Sequence, residues 1–281
     1  MKKSLKINSS ALWLRNFPWK KKKDHKYSRG KLIIFGSQIN MTGSTILSSE
    51  SALRTGTGSV KIICSKKTLP IYSSKFPSVL KEEINNLNSL KKLIIKEKNS
   101  IFLIGPGAGV NKLTKKKTKL ILKNSKYAII DADALTCFKN NPKELYKLLD
   151  KNKIITPHIK EFHIVFPMIR KKITNYEKII KASKICKCNI VLKGSNTLIC
   201  SSTGNIVLNK HTSSELAVIG SGDVLAGIIT SLVGDNKMSI LEAASAGAWL
   251  HGDIAKKYGR GLISEDLIKG ISSALKRLKN E

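Results

Sequence analysis

Gly220-Ser221-Gly222-Asp223-Val224-Leu225-Ala226-Gly227-Ile228-Ile229 reads as a tight turn running into a helix of about Val224–Val233. Val224, Leu225, Ile228, Ile229 and Leu232 fall on one helical face, so the helix starts at the glycines and its core-facing side is set. Two glycines at such a start leave amides unpaired beside the positive end of the helix dipole, a ready anion site. The aspartate sits in that field, which favours its ionised form. A carboxylate there takes a proton from a hydroxyl while the amides hold a phosphoryl group in transfer. An aspartate at this place also serves as an ordinary helix cap, and the turn alone does not separate the two.

Upstream of the turn, from Lys31 on, short β-branched runs are each stopped by Gly, Pro or Asp and followed by a helical stretch. The runs are Leu32–Phe35, Val60–Cys64, Ile101–Ile104, Ala128–Ile130, Ile154–Thr156 and Ile190–Leu192. They are apolar nearly throughout rather than alternating, the pattern of parallel strands covered on both faces. Helices are expected between them at Thr42–Thr55, Leu113–Lys123, Pro142–Asp150 and Asn175–Cys186. After Leu192, Thr197–Cys200 and Ile206–Asn209 flank the turn-forming Ser201-Ser202-Thr203-Gly204-Asn205, which predicts a hairpin at a sheet edge. Helices at about Met238–Tyr258 and Ser264–Lys279 close an α/β layered sheet.

The 281 residues are 41% hydrophobic, enough for a sizeable core, which excludes intrinsic disorder despite 51 Lys and Arg against 19 Asp and Glu and a formal charge of +32. Such a charge suits nucleic acid, anionic membrane or an anionic small molecule. Only Arg15, Arg29, Arg54, Arg170, Arg260 and Arg277 carry the guanidinium that reads phosphates and guanines bidentately. The lysines are spread along the chain, a compositional bias, so no nucleic-acid partner is expected. Residues 1–28 stand apart as a basic and aromatic extension, with Trp13, Phe17, Pro18 and Trp19 before Lys20-Lys21-Lys22-Lys23. This is either a nucleic-acid arm or a solvated charge run with anchoring aromatics. Cys64, Cys137, Cys186, Cys188 and Cys200 show no zinc spacing and read as reduced, mostly buried thiols. No apolar signal segment or membrane-length stretch is present, which predicts a cytoplasmic protein without a membrane partner.

In open α/β sheets, ligands bind past the carboxyl ends of the strands, and four ends here carry chemistry. Ile101–Ile104 leads into Gly105-Pro106-Gly107-Ala108-Gly109, where the backbone approaches a ligand closely or merely turns. Its spacing is neither that of a Rossmann fingerprint nor that of a P-loop. Asp131-Ala132-Asp133 ends the next run, holding a metal or substrate or capping the helix that follows. Pro157-His158 and Glu161 follow Ile154–Thr156, and a helix beginning near Pro157 points both side chains into one cleft. Lys193-Gly194-Ser195-Asn196-Thr197 offers a cation and free amides to a nucleotide phosphate, or is a tight turn into the hairpin.

These residues carry a resemblance. Gly220-Ser221-Gly222-Asp223 resembles the G-x-G-D anion hole and base of the ribokinase superfamily. The ordered set Met41-Thr42-Gly43-Ser44, Gly105 to Gly109, Asp131-Ala132-Asp133-Ala134-Leu135, Thr156-Pro157-His158-x-x-Glu161 and Lys193-Gly194-x-x-Thr197 is similar to that of the NAD(P)H-hydrate dehydratases. Related vitamin-precursor kinases tend to show Thr-Pro-Asn where this chain has Thr156-Pro157-His158. The similarity runs from about His25 to the last helices.

The resemblance implies a ribokinase-like three-layer α/β/α sandwich, one catalytic domain over residues 29–281, with a mostly parallel sheet and an edge hairpin. It implies repair of NADH or NADPH hydrated at C6: the C6 hydroxyl is phosphorylated at the expense of ADP, giving AMP, and phosphate is then eliminated. Ser44, Gly109, His158 and Asp223 would touch the hydrated nucleotide, with Asp223 as base. Lys193, Gly194, Ser195, Asn196, Thr197 and Gly222 would hold the adenine nucleotide, and Gly220, Ser221 and Gly222 the transferring phosphoryl. Magnesium is implied, with Glu161 placed to position it through water, as are a tetramer and a separate NAD(P)H-hydrate epimerase as functional partner. A kinase of a small hydroxylated vitamin precursor shares the anion hole and is the alternative. The chain departs from the family pattern at Ser44, usually Ala, at Gly36-Ser37, and at Thr212-Ser213-Ser214-Glu215, which lacks the usual Gly and Pro.

Overall fold

The computed structural model describes residues 5–26 and 28–280; residues 1–4, Tyr27 and Glu281, parts of the expected extension and catalytic domain, lie outside the described residues. The strands are β1 (Leu5–Ile7), β2 (Lys31–Phe35), β3 (Ser59–Cys64), β4 (Leu80–Glu83), β5 (Ile101–Ile104), β6 (Tyr127–Ile130), β7 (Lys153–Ile155), β8 (Asn189–Leu192), β9 (Thr197–Cys200) and β10 (Ile206–Asn209). The helices are α1 (Thr42–Thr55), α2 (Leu69–Lys75), α3 (Leu87–Lys96), α4 (Lys112–Asn124), α5 (Ala132–Thr136), α6 (Pro142–Tyr146), α7 (Ile159–Val165), α8 (Asn175–Cys186), α9 (Ser221–Gly234), α10 (Ile240–Tyr258) and α11 (Ser264–Lys279).

The described residues form one ten-stranded sheet in the order β1-β10-β9-β8-β7-β6-β5-β2-β3-β4. Pairing is parallel except around β9, which runs antiparallel to both β8 and β10. The hairpin therefore stands one strand in from the edge, because β1 pairs outside β10. A run such as Ile101-Phe102-Leu103-Ile104 has only apolar side chains to present on either face, and all four residues are buried. Alternation sends Leu103, Ile34 and Ile129 into one core with α1, α2, α9, α10 and α11. It sends Phe102, Ile33 and Ile130 into a second core with α3 to α8. Helices on both faces give the three-layer sandwich.

Two features of the first core bear on the strand ends. The buried face of α1 carries Thr45, Ser48, Ser49 and Ser51 rather than large apolar groups. Gly227 of α9 packs so closely there that a side chain would begin 2.1 Å from Ser51 Oγ and 2.3 Å from the Ser48 carbonyl. Ser48 Oγ in turn donates to the Asp223 carbonyl at 3.1 Å, so α1 grips the first turn of α9.

The N-terminal segment places its aromatics inside. Trp13 is 1% exposed, packs edge-on against Trp249 with ring centroids 5.8 Å apart, and donates its indole N–H to Asn8. Asn8 donates onward to the Ser245 carbonyl at 2.7 Å, while Lys20 to Lys23 remain exposed. Emptying that site is expensive: Trp13→Ala is expected to cost roughly 3–5 kcal/mol of stability. Urea denaturation checks this as a lowered midpoint.

Candidate active site

The ends of β5 to β8 and the start of α9 converge on one cleft. Lys193, just past β8, lies beside His158 past β7, its amide donating to the Pro157 carbonyl at 2.9 Å. Its ammonium donates to Asp131 Oδ1 at 2.7 Å. Asp131 occupies the cap position of α5 without making a side-chain cap bond, so its carboxylate serves Lys193. Asp133 Oδ2 accepts the Gly109 amide at 2.8 Å. Gly109 holds φ at +79°, and a side chain there would begin 2.1 Å from Gln38 Nε2. Both aspartates thus organise the cleft and cap nothing.

His158 and Glu161 face each other because they form a capping box on α7. His158 Nδ1 accepts the amides of Lys160 and Glu161, and Glu161 Oε2 accepts the His158 amide at 2.9 Å. With Nδ1 accepting, the proton of the neutral ring sits on Nε2, 3.4 Å from Glu161 Oε1. The three-residue spacing is therefore explained by helix capping, with the histidine half exposed toward solvent.

At the head of α9, Gly220 takes φ +86°, where a side chain would begin 2.4 Å from Leu47 Cδ1. The Ser221 amide goes to the Val218 carbonyl at 3.3 Å, whereas those of Gly220, Gly222 and Asp223 meet no acceptor among the described residues. A side chain at Gly222 would begin 3.5 Å from Lys193 Nζ, so free amides and a partly buried ammonium flank one small volume. Such a volume is suited to an anionic group.

The electrostatics run against one expectation. The helix dipole was expected to hold Asp223 ionised, but its pKa is raised to about 6. Burial is the largest cause, opposed by a hydrogen bond from Ser44 and the charge of Lys193, and assisted by Asp131 and Asp133. Burial likewise raises Glu161. Burial alone would lower Lys193, but Asp131, Glu161 and Asp223 outweigh it and hold the ammonium charged. A carboxyl near 6 is mostly ionised at neutral pH yet basic enough to accept a proton from an alcohol. If that carboxylate is the base, activity rises with pH, is half-maximal near pH 6 and levels above 7. A pH profile of kcat/KM checks it.

Of the residues singled out from sequence, Ser44, Gly109, His158, Glu161, Lys193, Gly220, Ser221, Gly222 and Asp223 meet around this cleft. Gly194, Ser195 and Asn196 form an exposed turn, and Thr197 is buried as the first residue of β9. Sequence reasoning missed His251 on α10. Its Nε2 lies 3.1 Å from Ser221 Oγ, and burial lowers its pKa to about 4, so it stands neutral behind the anion-binding turn. A histidine in an apolar helix gives no signal of its own; only the fold brings it under Ser221.

Among the described residues no group of three His, Cys, Asp or Glu side chains can hold a metal. Asp131 is committed to Lys193 and Glu161 to the capping box, while Thr156 Oγ1, buried at the end of β7, has no partner. This donor set suits an ion that arrives on a polyphosphate and meets the protein through water. No helix among the described residues is long and apolar enough to cross a membrane.

A family model described as NAD(P)H-hydrate dehydratase matches residues 31–273. An ADP-dependent (S)-NAD(P)H-hydrate dehydratase of Neisseria meningitidis is 31% identical over 265 residues, 91% of this chain and 87% of that protein. A bifunctional NAD(P)H-hydrate repair enzyme of Dictyoglomus turgidum is 31% identical over 271 residues, 89% of this chain and 51% of that protein. The chain thus spans about half the length of such bifunctional relatives. The crystal structure of an ADP/ATP-dependent NAD(P)H-hydrate dehydratase of Bacillus subtilis, grown with ATP and Mg2+, superposes with a TM-score of 0.81 at 23% identity, covering 98% of this chain and 99% of that one. At that identity the likeness establishes the fold, which is ribokinase-like.

Proposed function

The chain belongs to the NAD(P)H-hydrate dehydratase family, and from that premise we propose that it returns hydrated NADH and NADPH to their working forms at the expense of ADP. Hydration of the nicotinamide ring leaves a hydroxyl on C6, and hydroxide is a poor leaving group. Asp223 takes the hydroxyl proton, the oxygen attacks the terminal phosphorus of ADP, and AMP departs. The ring nitrogen then expels phosphate from C6, and loss of a C5 proton restores the dihydronicotinamide.

The observation that carries this reading is the raised carboxyl of Asp223 beside the free amides of Gly220, Gly222 and Asp223 and the Lys193 ammonium. The amides and the ammonium together stabilise the charge that builds on the transferring group. Ser44 orients the Asp223 carboxylate, and Gly109 and His158 bound the space left for the ring. Lys193 to Thr197 and Gly222 form the side from which the donor enters. Glu161 and Thr156 are the residues that would help hold a magnesium ion brought in with the donor, and the ion would supply neutralisation of phosphate charge. A tetramer and an epimerase acting on the same hydrate belong to the same proposal.

The deciding experiment supplies NADH hydrate with ADP and ATP in parallel. Regenerated NADH absorbance together with equal inorganic phosphate and AMP supports the reading. A stable phosphorylated alcohol with no NADH would instead identify a kinase that stops after transfer.

A further inference from the structure

Beside the cleft, past the ends of β2 to β5, lies a cavity of about 380 Å³ lined in part by Ile63, Ile84, Leu87, Leu113, Gln38 and Lys117. It adjoins the candidate active site at Gln38 and Ala108, since Gln38 lies against Gly109, whose amide is held by Asp133 of the cleft. The strand order puts β2 to β4 on the opposite side of β5 and β6 from β8, so the cavity and the Lys193 to Thr197 turn flank Asp223 from opposite sides. A molecule filling both the cleft and the cavity would reach Asp223 from the side opposite that turn.

Among the described residues, Lys117 is the only charged one lining the cavity. On α4, Lys115 and Lys119, one turn apart, both pair with Glu144. Lys117 falls between them on another face of the helix and meets no carboxylate among the described residues, while burial lowers its pKa. An ammonium partly withdrawn from water and without a counter-ion is favoured when an anion arrives to pair with it. The other walls combine aliphatic side chains with amides and hydroxyls, a surface that takes a flat heterocycle and a sugar.

We propose that this cavity receives the adenosine half of the hydrated dinucleotide, with Lys117 pairing one of its phosphates. The proposal rests on the hydrated dinucleotide being the substrate. That phosphate is either the pyrophosphate bridge, present in both NADH and NADPH forms, or the 2′-phosphate found only in the latter.

Binding tests it without turnover. Calorimetric titration of NADH, NADPH and ADP is compared for the unaltered protein, Lys117→Met and Leu113→Trp, the last narrowing the cavity from an exposed position. Affinity for NADPH is expected to fall about tenfold in both variants. A parallel fall for NADH assigns the bridge, and a fall confined to NADPH in Lys117→Met assigns the 2′-phosphate. Unchanged dinucleotide affinity in both variants, a loss of ADP affinity in step with it, or no dinucleotide binding by the unaltered protein overturns the assignment. Failure of the hydrate to be converted, with these affinities shifting as expected, would instead count against the reaction.

Discussion

Asp223→Asn is expected to lower turnover of the hydrate by ~10²–10⁴-fold while adenine nucleotide still binds, because the proposed base is removed and the amides of the turn remain. The same change should stabilise the free protein. A pKa raised from 3.8 to about 6 means the fold prefers the protonated carboxyl. That preference contributes stability below the unfolded value and is lost as pH rises through 6, so at neutral pH the ionised aspartate is a strain that asparagine lacks. Two units correspond to up to about 3 kcal/mol. Single-turnover kinetics with ADP, and melting at pH 5 and pH 8, check both halves. A variant retaining near-normal rate, or a melting gain equal at the two pH values, contradicts the role.

Lys193→Met is expected to be damaging in both respects. It strands Asp131, whose side chain is 2% exposed, in a cleft already carrying Asp133, Glu161 and Asp223. Losing one partner of a buried pair costs roughly 3–5 kcal/mol, and nucleotide affinity should fall with it. Adding Asp131→Asn removes the stranded charge and should restore most of the stability but not the affinity. Chemical denaturation of both variants separates the two effects; if the double variant is no more stable than the single one, the pair is not what holds that floor.

The interior of the sheet was legible because its strands have a single physical reading: Ile101–Ile104 or Ala128–Ile130 cannot face water on either side. β4 escaped because Leu-Lys-Glu-Glu at an outer position is bound by backbone pairing and not by burial. β1 escaped for the same reason, its three residues being exposed. The chemistry of the site was partly legible. The turn at Gly220 to Asp223 and the residues past each strand end could be read from chain order, but the partners of their side chains could not. Spacing of His158 and Glu161 suggested a shared cleft, where both do lie, but not the capping box that fixes them there. Asp131 and Asp133 were balanced between capping and binding until tertiary pairing with Lys193 and Gly109 decided. The direction of the Asp223 shift was misjudged because the dipole is visible in sequence, whereas burial and two neighbouring carboxylates are not.

The inner cleft gathers Asp131, Asp133, Glu161 and Asp223 around a single ammonium, inside a chain whose formal charge is +32. Far field and near field therefore have opposite signs. At a distance the molecule steers anions inward, while at the last few ångströms an unaccompanied polyphosphate meets a surplus of carboxylates. Docking of an anion there and the protonation of the carboxylate floor are therefore linked, each favouring the other.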